Sequence, residues 1–235
     1  MNLDSKIAIV TGASSGMGEH FSRKLVEKGA TVYGLARTAS KLDNLHRELG
    51  KQFIPVSMDI TRNQNIKKWV DKTFDDDHLP DILINNAGLA TFKNIDELSL
   101  KDWESMISTN LSGTFYMCRK IAPLMKQNDA VCHIVNIASI AGKVGRPTMS
   151  GYNASKFGVR GFSEALFQEL RYDGIKVSCF YPGSTATDFF DEPHSNMMQP
   201  EDVAQVLINV LETPDNFLIN DITMRPLNPK RPEEQ

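Results

Sequence analysis

Cysteine is scarce in this chain. Cys118, Cys132 and Cys179 are the only three, and they are odd in number and far apart. No C-x-x-C or Cys/His ligand spacing accompanies them. That excludes a disulfide framework and a zinc module, and reads as reduced core thiols in a reducing compartment. A long apolar run is also missing, so no segment approaches a membrane span. The first residues run directly into a strand-like stretch, with no charged region followed by an apolar one, so no secretory signal is expected and the expected location is cytoplasmic. An excess of one charge is absent too. With 26 basic and 29 acidic residues the net charge is −3, which gives no reason to invoke nucleic acid or an anionic membrane as partner. Internal repeats, linkers and low-complexity blocks are not found. What remains is 235 residues with 41% hydrophobic side chains, enough for one large, well-buried α/β domain.

Short apolar runs alternate with longer amphipathic segments. The runs at 6–11, 31–36, 53–57, 81–85, 131–137, 175–181 and 217–224 read as strands, the third peripheral because it contains Pro55. Helices are expected at about 18–28, 40–49, 63–74, 150–171 and around 205–211, the last started by Pro200-Glu201-Asp202. A helix over about 103–110 is expected to lead into a longer one through about 126. Strands that are apolar throughout, each followed by a helix, predict a seven-stranded, doubly wound parallel sheet covered on both faces. The domain is read as 1–224, with a proline-rich, charged extended tail at 225–235. In such sheets ligands bind beyond the carboxyl ends of the strands.

The first strand ends in Thr11-Gly12-Ala13-Ser14-Ser15-Gly16-Met17-Gly18. Glycines between a strand and a helix permit a tight turn and close backbone approach to a pyrophosphate, and the helix N-terminus offers unpaired N–H groups. This points to dinucleotide binding; a plain glycine-rich turn is the competing reading. The spacing does not match a nucleoside-triphosphate loop. The second strand ends at Ala36 and Arg37, where NAD sites usually carry an acidic residue. A guanidinium there grips a 2′-phosphate through two donors, assisted by Thr38 and Lys41. NADP is therefore favoured over NAD, against an ordinary surface arginine. Asp59 is placed to meet the adenine edge, or alternatively to cap a helix, a role for which Thr61 competes.

Asn85-Asn86-Ala87-Gly88 closes the fourth strand, where asparagine can tie adjacent loops together. Asn110 lies in a helical region that it suits poorly. Ser139 follows the fifth strand. Tyr152-Asn153-Ala154-Ser155-Lys156 puts a phenol and an ammonium four residues apart, on one helical face. A cation beside a phenol lowers its pKa, so the pair is expected to exchange a proton near neutral pH. Pro182-Gly183-Ser184-Thr185-Ala186-Thr187 follows the sixth strand and offers backbone groups and hydroxyls to a nicotinamide.

In this order, the motifs identify the chain as resembling the short-chain dehydrogenase/reductase family, in its T-G-x-x-x-G-x-G and Y-x-x-x-K subgroup, from Lys6 to about Met224. The resemblance implies a single-domain Rossmann fold. It implies Tyr152 as general acid, Lys156 as the cation that tunes it and holds the nicotinamide ribose, Ser139 as donor to the substrate oxygen, and Asn110 as holder of a water linking Lys156 to solvent. It further implies cofactor contacts from Gly12 to Gly18, with Ser14, Ser15, Gly16 and Met17, and from Arg37, Asp59, Ile60, Asn86, Ala87, Gly88, Pro182, Gly183, Thr185 and Thr187, and no metal. The substrate is expected to be a small alcohol or carbonyl compound. The ending Ile222-Thr223-Met224-Arg225-Pro226 is similar to that of NADP-dependent 3-hydroxy-acid and serine dehydrogenases. Competing readings are a 3-oxoacyl-carrier-protein reductase, for which Arg119, Lys120 and Lys126 make a slight basic patch, and a non-catalytic NADP-binding interaction protein.

Leu89, Ile140, Met149, Tyr181, Phe189 and Met197 are candidates to line an apolar substrate site, and Arg146 to meet a substrate carboxylate. A homotetramer or homodimer is expected, formed in relatives by the helices that follow Asn110 and contain Lys156; the latter carries Gly158, Gly161 and Ala165.

Overall fold

The computed structural model describes residues 1–187 and 196–228. Phe189 and the end of the tail lie outside the described residues. Seven strands, β1 (Ile7–Thr11), β2 (Thr31–Ala36), β3 (Phe53–Ser57), β4 (Ile82–Asn85), β5 (Cys132–Ile137), β6 (Ile175–Pro182) and β7 (Asp221–Met224), form one sheet. Its order is β3-β2-β1-β4-β5-β6-β7, and every neighbouring pair is parallel. The direction of winding reverses between β1 and β4, which opens a crevice beyond their carboxyl ends. The fold is a Rossmann-type doubly wound sheet, with β3 and its Pro55 at one edge.

Alternation along the strands divides the core into two layers. Ala8 and Val10 of β1, with Ile82 and Ile84 of β4, face one cluster with Phe21, Leu25 and Leu207. Ile9 and Leu83 face the other, with Met117, Ile121 and Leu166. Helices α1 (Gly16–Glu27), α2 (Ala39–Leu49) and α7 (Pro200–Leu211) supply the first layer. The helices α3 (Asn63–Thr73), α5 (Gly113–Met125) and α6 (Ser150–Leu170) supply the second. None of the helices among the described residues is long and apolar enough to cross a membrane.

Several boundaries differ from expectation. The strand expected over 217–224 is formed only from Asp221, because Phe217 turns back onto the Pro214 carbonyl and stays 52% exposed. The helix expected from Trp103 begins earlier, as α4 (Leu100–Met106), because the Ser99 hydroxyl accepts the Asp102 N–H at 3.1 Å. It runs through a π-helical turn, Ile107–Ser112, into α5. Neither Asp59 nor Thr61 caps α3. The preceding residue is Arg62, with no side-chain cap bond.

Candidate active site

A cavity of about 530 Å³ opens beyond the carboxyl ends of the strands at the winding reversal. It runs from the turn after β1, past Arg37 and Asp59, to Ser139, Tyr152 and the segment after β6. Most of the residues singled out in the sequence for cofactor or catalysis line it; Gly18, Lys41 and Asn110 do not.

The floor is built by two loops tied together. The Thr11 hydroxyl accepts the N–H groups of Asn86 and Ala87, each at 3.0 Å. The Asn86 amide donates to the carbonyls of Thr11 and Gly12 at 3.0 and 3.3 Å. Gly12 has φ +67°, and a Cβ on it would sit 2.9 Å from the Ala87 Cα. Only glycine fits that left-handed, crowded position. Gly18 is set behind the cavity: a Cβ there would meet the Gly12 carbonyl oxygen at 2.2 Å. It lets α1 start directly beneath the turn, so that the first N–H groups of the helix face the cavity floor.

At the far end of β2, Arg37 is exposed and lines the cavity with Thr38. Asp59 accepts the N–H and hydroxyl of Thr61 at 2.9 and 2.8 Å. Burial alone would raise the Asp59 pKa; the two Thr61 bonds, then the charges of Arg37 and Arg62, outweigh it and hold it below the ordinary value.

At the other end, Ser139 caps a short 3-10 turn and accepts the Ala141 N–H at 3.1 Å. Its hydroxyl donates to the Pro182 carbonyl at 3.4 Å, and Ser139 and Tyr152 line the same end of the cavity. Tyr152 and Lys156 share the inward face of α6, 8% and 4% exposed. The sequence predicts a phenol lowered by its ammonium neighbour. The structure corrects this. Burial pushes Tyr152 up to about 12, against the opposing influence of Ser139, and pulls Lys156 down to about 8, against that of Cys179. The Lys156 Nζ lies 5.8 Å from the Tyr152 ring centroid and donates to the Ile137 carbonyl at 2.8 Å. Desolvation sets the direction of both shifts.

Asn110 sits in the π-helical turn, 1% exposed. Its side chain brackets the Leu89 backbone, accepting the N–H at 2.8 Å and donating to the carbonyl at 2.9 Å, and donates to the Ser155 hydroxyl at 2.9 Å. A π turn widens the helix locally, a distortion frequent at functional sites. A Cβ on Gly88 would stand 3.3 Å from the Asn110 Oδ1 and 3.5 Å from the Lys156 Nζ, so both groups converge on that glycine.

Of the expected apolar lining, Leu89, Ile140 and Met149 face the cavity. Tyr181 does not. Its ring packs with Ala138, Val159 and Cys179 in a separate core cluster, and its hydroxyl donates to Asp221 at 3.1 Å. Met197 is not in the lining either. Two residues were missed. Phe92 meets the Tyr152 ring edge-on, with centroids 5.9 Å apart, and comes from a loop with no periodic signal. Asn153 ties the Ser139–Tyr152 segment to α6; its position beside Tyr152 was the only available clue.

The geometry agrees with what the chain is similar to. The family description for short chain dehydrogenase matches residues 6–197. An uncharacterized oxidoreductase of Staphylococcus epidermidis is 30% identical over 226 residues, covering 94% of this chain and 97% of that one. The closed form of a serine dehydrogenase complexed with NADP+ superposes with a TM-score of 0.90 at 31% identity, covering 96% of this chain and 97% of that one. A 3-ketoacyl-(acyl-carrier-protein) reductase from Brucella melitensis, complexed with NADH, gives a TM-score of 0.86 at 27% identity over 94% of this chain and 97% of its own.

Proposed function

This chain belongs to the short-chain dehydrogenase family, and on that premise we propose that it is an NADP-dependent oxidoreductase interconverting a small hydroxy compound and its ketone or aldehyde. The observation that carries the reading is that Ser139, Tyr152 and Lys156 line the same cavity as a glycine turn, a helix N-terminus and Arg37.

The residues fit the cofactor. The turn after β1 leaves room that a Cβ on Gly12 would fill, and the N-terminus of α1 suits a pyrophosphate. Arg37 and Thr38 suit a 2′-phosphate, and Asp59 and Ile60 lie beside them for the adenine. Asn86, Ala87 and Gly88 line the middle, and Pro182, Gly183, Thr185 and Thr187 are assigned to the nicotinamide end. When bound, the nicotinamide coenzyme supplies the hydride in reduction and accepts it in oxidation.

The chain itself manages the proton. Buried and held up to about 12, Tyr152 is fully protonated at neutral pH and donates its hydroxyl proton to the carbonyl oxygen. Ser139 donates to the same oxygen and steadies the charge developing there. Lys156 has three N–H donors. One is given to Ile137, leaving two for ribose hydroxyls, and its charge stabilises the phenolate that remains. Asn110 holds the Leu89 backbone against Ser155 beneath this pair and in this reading supports proton return to Lys156.

Carrier-protein reduction is not favoured, since Lys126 of the slight basic patch is engaged by Asp173 at 2.6 Å. A cytoplasmic homotetramer or homodimer belongs to the same reading. Phe115 of α5 and Phe157 of α6, 41% and 42% exposed, supply apolar surface for association. Gly161 has nothing within 4 Å of a built Cβ, whereas Gly158 is taken up by Leu111 of its own chain. Sedimentation decides between these sizes and a monomer.

Tyr152→Phe tests the assignment. A general acid contributes about 10²–10⁴-fold, so the variant is expected to lose that much turnover across a carbonyl panel followed by NADPH absorbance, with NADH in parallel, while NADPH binding by fluorescence titration persists. Near-normal turnover overturns it.

A further inference from the structure

We infer that Arg146 anchors a substrate carboxylate and that Asn153 presents it, so that the substrate class is a short hydroxy acid or its oxo counterpart; this rests on the oxidoreductase reading of the same cavity. Four charged side chains line the cavity. Arg37 and Asp59 belong to its adenosine end, and Lys156 is bonded to Ile137. Arg146, an exposed residue of the segment between Ser139 and Tyr152, is the remaining one, and Leu89, Phe92, Ile140 and Met149 line the same cavity. Its guanidinium has no carboxylate or hydrogen-bond partner among the described residues. Lys143, the other cation of the same segment, is committed elsewhere: its ammonium lies 3.3 Å from Asp221 and 3.9 Å from the Tyr181 ring centroid.

The segment that carries Arg146 is pinned. Asn153, 8% exposed and adjacent to Tyr152, accepts the Arg146 N–H at 3.2 Å. It donates to the carbonyls of Ala141 and Val144 at 2.6 and 3.0 Å. Thr148 is held at φ +63°, the left-handed region that a β-branched residue rarely adopts. Its carbonyl is fixed by the Lys93 N–H at 2.8 Å. A backbone in that region persists only where its surroundings over-determine it, and such residues cluster at ligand clamps. The result is a backbone tied to the Ala141–Val144 segment and to α6, from which the exposed, unpaired Arg146 side chain lines the cavity that Ser139 and Tyr152 also line.

The chemistry selects a monoanion. A planar fork of N–H donors matches a carboxylate bidentately. A phosphate monoester carries nearly two charges, and among the described lining residues no second unpaired cation stands at this end to meet them. The apolar neighbours suit a short hydrocarbon body between the carboxylate and the reacting carbon.

The test compares short hydroxy acids with their methyl esters, using the NADP-loaded enzyme. Wild type is expected to prefer the acid by tenfold or more in kcat/KM. Arg146→Ala lowers the acid-to-ester ratio by tenfold or more, through KM rather than kcat, and Arg146→Lys restores part of it. Asn153→Ser moves the ratio in the same direction with near-UV circular dichroism preserved. Binding of butyrate by calorimetry, wild type against Arg146→Ala, reads the anchor without turnover; butyramide is the neutral comparator. An unchanged acid-to-ester ratio in Arg146→Ala overturns the anchor, as does a wild-type preference for esters or for phosphate monoesters. Absence of turnover on every carbonyl and alcohol overturns the underlying reading instead, and the butyrate titration still decides for or against the anchor.

Discussion

The Lys156 ammonium donates to the Ile137 carbonyl at 2.8 Å, which fastens α6 to the end of β5. The bond spans the point where β5 gives way to Ser139, and together with the Asn153 bonds to Ala141 and Val144 it holds that segment against α6. It also leaves the ammonium buried, with its pKa lowered to about 8 by desolvation.

That value fixes the sign of a pH profile. Below about 8 the ammonium is charged and supports the phenolate left by proton donation; above it the charge is lost. For carbonyl reduction, kcat/KM is expected to be level from about pH 6 and to fall as pH rises through about 8, since kcat/KM reports free-enzyme groups. Lys156→Arg, whose guanidinium stays charged, is expected to be slower but to show no fall in that window. A wild-type profile that rises through pH 8 in the reducing direction contradicts the assigned role.

On the proposed reading, Arg37 carries the cofactor preference. Hydrogen bonds to charged groups contribute about 1.5–3 kcal/mol, and each 1.4 kcal/mol is about tenfold. Arg37→Ala is therefore expected to lower the NADPH-to-NADH ratio of kcat/KM by about tenfold to a hundredfold. Equal losses for both coenzymes show that the guanidinium does not read the 2′-phosphate.

Gly18 tests the close approach of α1 to the glycine turn. A Cβ there meets the Gly12 carbonyl at 2.2 Å and the Asn86 amide at 2.5 Å. Backbone cannot yield as a flexible side chain does, and overpacking costs roughly 1–3 kcal/mol. Gly18→Ala is expected to lower Tm by about 2–4 °C per kcal/mol and to weaken NADPH binding, because the same contact positions the turn. A variant with unaltered Tm and unaltered binding refutes the close contact.

Much of this was legible in the sequence because it was written in local patterns. Apolar runs between helical segments gave seven parallel strands, and Pro55 gave the edge. The glycine turn, Asn86 and the Tyr152–Lys156 spacing announce themselves within a few residues. What failed depended on distance through space. Tyr181 lies near the end of an apolar strand close to the site, but its ring packs with Val159 and Cys179 and its hydroxyl is drawn to Asp221. The direction of the Tyr152 shift depends on how deeply α6 buries the phenol, which no four-residue spacing reveals. The π-helical turn at Asn110 and the approach of Phe92 to Tyr152 arise from packing between segments that lie far apart in sequence.

His133 is expected to contribute to the acid limit of stability. It lies on β5, 1% exposed, with Nε2 2.8 Å from the Ser178 hydroxyl. Ser178 gives its own proton to the Ile219 carbonyl at 2.5 Å, so His133 is the donor at Nε2, and its Nδ1 acceptor has no partner among the described residues. Burial first, then the charge of Lys176, lowers its pKa to about 3. The folded chain thus keeps a neutral imidazole where the unfolded chain titrates near 6.5. Between those values the unfolded state binds a proton that the native state refuses, so stability is lost as pH falls from about 6.5 toward about 3. One proton gives at most about 1.4 kcal/mol per pH unit. His133→Gln removes that proton from the balance. Its unfolding free energy in urea is expected to be lower than wild type near neutrality and to decline less steeply below pH 6.5. Curves that stay parallel down to the acid transition mean that carboxylates, not this histidine, set the acid limit.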